Sequence, residues 1–290
     1  MKKSKLLAPA FAFLALSTAA AVTGTVAWFT ASRVVTINAS AITAYNPEEN
    51  LKVVLSNPTG ATIGTAEGKE STAAAVNTFH LRDASVDVAA QKVYGSVLNA
   101  DGDQVASFKE VTSNLAAGTY KKQDNSTVDL FYAAKYTAKF SLYAGASDKT
   151  YDLKFDNTRT TIADLSSASA KDQALAPGLR IGIYVSATKF VVIAPYKTGT
   201  DLSAGLTYVN GVTLSDQDTY AAANSFYKKD STNTGGEYTL GTLQGTGTNE
   251  VEATVWTWFE GTDSAIQNEN IEGLSTALSV GLSFKIAEQA

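Results

Sequence analysis

Leu278-Ser279-Val280-Gly281-Leu282-Ser283-Phe284-Lys285-Ile286 is the stretch that decides the fold. Leu278, Val280, Leu282, Phe284 and Ile286 fall on one side of an extended chain, and Ser279, Gly281, Ser283 and Lys285 on the other. Successive side chains of a strand point to opposite faces, so the run predicts a well-covered strand with one apolar face. The same period recurs upstream. Leu51, Val53 and Leu55 alternate with polar residues or with the other face, as do Ala138, Phe140 and Leu142, then Tyr151, Leu153 and Phe155, then Leu179, Ile181, Ile183 and Val185. Many short strands of this kind predict an all-β chain: an antiparallel β-sandwich, jelly-roll-like, with a few short helices and long loop insertions.

Turn chemistry supports that outline. Asn99-Ala100-Asp101-Gly102-Asp103 lies between two apolar runs and reads as a hairpin, and Asn210-Gly211 supplies the positive φ angles of a tight turn. Thr160 to Leu175 is a helix candidate stopped by Pro177-Gly178, and Ser264 to Ile271 is another turn or two. Residues 198–250 are rich in Gly, Thr, Ser and Asn and read as an elaborated insertion in a single sandwich domain spanning 46–290.

Composition narrows the function classes. There is no cysteine, so neither disulfides nor thiolate chemistry is available. The formal charge is −5, and nucleic-acid binding rests on Lys and Arg neutralising phosphates, so no nucleic-acid partner is expected.

The chain opens on Met1-Lys2-Lys3-Ser4-Lys5, followed by Leu6 to Val22 without a charge. Small residues then stand at Thr25 and Ala27, so residues 1–27 read as an export signal cut between Ala27 and Trp28. The competing reading is a retained membrane anchor, since a spanning helix needs roughly 20 apolar residues. Either way the protein is expected outside the cell or on its surface. Any membrane contact would run through this segment before cleavage. Behind it, residues 28–45 form an extended segment whose Val35, Ile37, Ala39 and Ala41 share a face. Such a strand completes a sheet, in its own fold or in a neighbour's.

Gly24-Thr25-Val26-Ala27-Trp28-Phe29-Thr30 resembles the end of the signal in the TasA and camelysin family of bacterial biofilm-matrix fibre proteins, which are processed by a SipW-type signal peptidase. In that family a Gly-Thr-x-Ala segment precedes an aromatic pair and a Ser, Thr or Asn. An alternating strand and a second strand ending in Asn follow, here Leu51 to Asn57. Where the family usually has an Asp after the aromatic pair, this chain has Ala31-Ser32. The resemblance covers about the first 57 residues. It implies an exported fibre subunit that adds its amino-terminal strand to the next copy, with itself and a signal peptidase as partners.

Catalytic and ligand motifs are sparse. His80 is the only histidine, so the His-Glu-x-x-His zinc helix is absent, and no Gly-x-Ser-x-Gly elbow occurs. Gly64 to Lys69 falls one residue short of a phosphate loop and is followed by Glu70, not a hydroxyl. Asn99, Asp101 and Asp103 stand at alternate positions, but Gly102 is misplaced for a calcium loop. No metal, cofactor or enzymatic activity is therefore expected. Trp256 and Trp258 share one face of a strand, with Val255 and Phe259 on the other. They read as core, as a subunit interface or as a glycan contact, the last belonging to an alternative function as a monomeric or membrane-anchored surface binding module. Glu260 and Asp263 follow them, without the fixed separation a glycosidase pair requires.

Overall fold

The computed structural model describes residues 35–38, 41–45, 51–68, 70–73, 78–98, 105–112, 115–121, 127–142, 149–156, 159, 161–162, 170–187, 189–195, 226–227, 237–245, 249–261 and 280–289. Within them the first strands are β1 (Val35–Asn38), β2 (Ala41–Tyr45), β3 (Leu51–Ser56), β4 (Thr62–Gly68), β5 (Glu70–Ala73), β6 (Thr78–Leu81) and β7 (Asp83–Asp87). Next come β8 (Lys92–Leu98), β9 (Val105–Glu110), β10 (Ala116–Lys121), β11 (Thr127–Phe131), β12 (Ala134–Leu142), β13 (Thr150–Asp156) and β14 (Thr161–Ile162). The helix α1 (Ala170–Leu175) and a 3-10 turn at Ala176–Gly178 lead into β15 (Leu179–Ser186) and β16 (Lys189–Ile193). The last strands are β17 (Phe226–Tyr227), β18 (Glu237–Gln244), β19 (Val251–Glu260) and β20 (Val280–Glu288).

The chain is all-β and sandwich-like. One sheet runs β17-β16-β15-β19-β12-β3-β4, with the β7-β8-β9 meander joined to β19. A second runs β18-β13-β20-β2-β5, with β14 beside β20. A small third sheet has the order β1-β6-β11-β10. The first two pack face to face, because the alternating apolar residues of each have only the other to cover them. Phe140 of β12 and Phe284 of β20 meet across that interface with ring centroids 4.7 Å apart, and Phe155 of β13 packs edge-on to Phe284 at 5.7 Å. Leu51, Val53, Leu55, Ile181, Val255 and Leu282 are fully buried in the same core.

The strand expected to be well covered is so: β20 lies between β13 and β2, with Val280, Leu282, Phe284 and Ile286 buried. Leu278 lies outside the described residues. β8 and β9 form the antiparallel pair expected around Asn99–Asp103; that turn, Asn210-Gly211 and Ser264 to Ile271 lie outside the described residues. Gly64 stands in β4, an ordinary strand. Among the described residues no helix is long and apolar enough to cross a membrane. Residues 1–34, with Ala27 and Trp28, lie outside the description.

Four expectations need correction. The sheets are not purely antiparallel: β2–β20, β6–β11, β16–β17 and β7–β19 pair in parallel. Thr160–Leu175 is not one helix: Thr161 and Ile162 pair with Gly281 and Val280 as a strand, and among the described residues the helix is α1. The 198–250 segment is not wholly an excursion, since β18 pairs with β13 along its length and buries Leu240 and Leu243. The run containing Val35, Ile37, Ala39 and Ala41 is two strands in two different sheets, with Ala39 outside the described residues.

Truncating Phe284 removes a ring that touches both sheets. Phe284→Ala is expected to cost about 3–5 kcal/mol, read as a lower urea midpoint at an unchanged slope. Phe284→Asp should leave no cooperative transition, because it puts an unpaired charge in the same place.

Candidate functional site

The amino-terminal strands occupy two slots. β1 pairs antiparallel with β6, Val35 opposite Leu81 and Ile37 opposite Phe79, and forms an edge of the small sheet. β2 lies inside the second sheet, parallel to β20 (Ala41 opposite Gly281, Tyr45 opposite Lys285) and antiparallel to β5. Ile42 is buried completely in the inter-sheet core, and on the outer face the Thr43 and Thr72 hydroxyls hydrogen bond at 2.9 Å. Every other described pairing in this sheet is antiparallel. A parallel neighbour cannot be joined by a hairpin, so β2 reaches β20 without any local covalent constraint.

β19 is the strand that organises the other side of the molecule. It outlasts its neighbour β12, whose pairing stops at Ala134 opposite Thr257, and β7 takes the vacated position at Phe259 and Glu260. The meander thereby covers the outer face of β19. Trp256 and Trp258 are 2% and 1% exposed, packed with Val86, Val88, Val93 and Phe190 in a second core. Val255 and Phe259 enter the first core, as the alternation requires. Neither indole offers the open ring face that stacking on a sugar needs; both are core residues. Gly182, opposite Trp256 on β15, has no side chain for the same reason. A Cβ there would stand 2.5 Å from a Val88 methyl and 3.2 Å from the Trp258 ring.

Glu260 is not half of a glycosidase pair. It is 1% exposed, and one carboxylate oxygen accepts hydrogen bonds from the Trp258 indole N–H at 2.9 Å and the Ser85 hydroxyl at 3.2 Å. Asp263 lies outside the described residues. Arg180, which falls between Leu179 and Ile181 on the other side of the β15 alternation, is fully buried opposite Trp258, with its guanidinium donating to the Pro177 and Leu179 carbonyls. The meander closes over that face, which no feature of β15 itself signals. His80 sits half-buried in β6 opposite Thr36, an ordinary strand position. No group of metal-ligating side chains occurs among the described residues, and Asn99, Asp101 and Asp103 lie outside them.

A cavity of 590 Å³ opens where the small sheet meets the β7-β8-β9 meander and β12. Phe79 of β6 and Phe131 of β11 form one wall, their rings edge to face at 5.9 Å, and Ile63, Val93 and Leu115 extend it. Trp256 and its cross-strand partner Lys135 also line the cavity, with the Lys135 ammonium 4.5 Å from the indole centroid. Lys139 makes an informative contrast. It lies on the same face of β12 but pairs with Glu250 at 3.0 Å, which raises its pKa. Lys135 has no carboxylate partner among the described residues, and burial lowers its pKa from 10.5. Nothing in the sequence signals this difference: both lysines continue the polar half of one alternation, and only the strand register sets Lys135 against Trp256.

Comparison with protein families and with curated proteins finds no match to this chain.

Two measurements test these assignments. Glu260→Ala leaves two buried donors without an acceptor and is expected to lower unfolding stability by about 2–5 kcal/mol, whereas Glu260→Gln, which keeps an acceptor, should cost less. Lys135→Met should be at least as stable as the parent at neutral pH, because it keeps the apolar stem and removes the partly buried ammonium whose desolvation lowers its pKa. A folded-state pKa below the unfolded 10.5 means the unfolded chain holds the proton more tightly, so parent stability rises with pH across that interval. The stability gap between parent and Lys135→Met should therefore close as pH rises from the lowered pKa towards 10.5.

Proposed function

We propose that this protein is an exported structural subunit of an extracellular fibre or biofilm matrix, and that copies join by exchange of the β1–β2 segment. The observation that carries the proposal is the parallel seat of β2 between β20 and β5. Its hydrogen bonds and the Ile42 contact depend on register and not on which chain supplies the strand. The sequence between β2 and β3 is Asn46-Pro47-Glu48-Glu49-Asn50, a polar connection with no apolar residue to anchor it. A second copy's segment entering the same slot forms the same contacts, and repetition of this head-to-tail exchange gives an open filament unless the rotation closes a ring.

The resemblance of residues 24–57 to TasA and camelysin leaders supports the same reading. On it, cleavage after Ala27 frees the segment from any upstream chain and leaves Trp28 first in the exported protein. The reading assigns no catalysis to the chain. A monomeric surface module stacking sugars on Trp256 and Trp258 is the poorer alternative, because both indoles are enclosed.

Disulfide trapping distinguishes exchange between copies from pairing within one. The chain contains no cysteine, and Thr43 and Ser283 are register partners. Thr43→Cys combined with Ser283→Cys is expected to give a ladder of reducible multimers from assembled material. A purely intrachain disulfide in filaments would refute the exchange. Intact mass of the exported protein should begin at Trp28, and a mature chain that retains Lys2 would refute the processing. Deleting residues 28–45 should abolish filaments in electron micrographs, with a synthetic 35–45 peptide binding the truncated protein to refill the slot.

A further inference from the structure

The cavity beside Lys135 has the character of a ligand site, and no role in assembly accounts for it. Its 590 Å³ lies within the range of small-molecule pockets, roughly 300–1,000 Å³. Most of the wall is aromatic or aliphatic, which favours an apolar body. Lys135 is the one charged group on the lining, and Asn57, Gln91, Thr112 and Tyr136 are neutral polar groups. Lys135 presents an ammonium with no carboxylate partner among the described residues. Asn57 lines the mouth, but its side-chain oxygen already accepts from the Thr59 hydroxyl and from the backbone N–H groups of Thr59 and Ala61, which leaves it donors. No Asp or Glu lines the cavity.

A partly buried ammonium without a counter-ion opposes folding, and an anion entering the cavity relieves it. We propose that this cavity binds a small organic carboxylate, with its charged end on Lys135 and its apolar body between Phe79, Phe131 and Leu115. Two sources supply that chemistry, an aliphatic acid of medium chain length and an aromatic acid. Uncharged sugars would leave the Lys135 ammonium without a counter-ion. Inorganic anions leave the aromatic wall uncovered.

The test uses the full exported chain, with decanoate and 2-naphthoate as probes and decanol as the uncharged control, followed by titration calorimetry. At least one acid should bind below about 1 mM, more tightly than decanol. Decanoate alone points to the aliphatic source and 2-naphthoate alone to the aromatic one. Lys135→Met should weaken the bound acid by about tenfold or more while leaving decanol unchanged. Thermal unfolding of the variant at its parent's cooperativity shows that the cavity is intact. Lys135→Arg, which keeps the charge, should retain most of the affinity. Failure of both acids to bind overturns the proposal, and so does equal binding of acid to the parent and to a folded Lys135→Met.

Discussion

The fold depends on how β20 is flanked. Its apolar face holds one side of the inter-sheet core, with Phe284 set between Phe140 and Phe155. A strand so placed must have both backbone edges paired, since unpaired donors and acceptors next to a dry core are costly. β13 supplies one edge by ordinary antiparallel pairing. The other is supplied by β2, from the opposite part of the sequence, in parallel. The second sheet thus depends on a strand with no hairpin connection to its parallel neighbour. Under the proposed exchange, stability and assembly would share one set of contacts.

β19 imposes a second constraint, because it is buried on both faces from Val255 to Glu260. An antiparallel strand with one wet face would present Trp256, Trp258 and Glu260 to water. Here the meander covers them, and the polar groups they bring inside must be satisfied in place. Glu260 does this for Trp258 and Ser85. Arg180 is brought in by the same closure and satisfies part of its guanidinium on the carbonyls of Pro177 and Leu179. Buried charge of this kind is weak as a source of stability and strong as a penalty against mispacking, since a shifted register would strand each group without its partner.

The cavity is the place where this covering is incomplete. Phe79 and Phe131 of the small sheet, Val93 of the meander, and Tyr136 and Trp256 of β12 and β19 line the space between without filling it. Close-packed interiors leave few voids larger than a water molecule. A cavity of 590 Å³ departs from that rule, and its wall carries the Lys135 ammonium with no carboxylate partner among the described residues.

The sequence by itself determined the strand content and which residues face the main core. Val53, Phe140, Leu153, Ile181 and Phe284 are all buried as their alternation requires, because a period of two is a property of the extended backbone and needs no partner to be read. It also determined the β8–β9 hairpin, whose turn is local. Tertiary structure alone decided which strands became neighbours. The division of residues 35–45 between two sheets, the parallel seat of β2, the integral place of β18 and the burial of Arg180 all follow from pairings across long sequence separations. Alternation says that a residue lies on the second face of a strand, but not whether another layer covers that face. Lys135 and Lys139 are identical on this criterion, and one meets a carboxylate at the surface while the other meets an indole at the wall of a cavity.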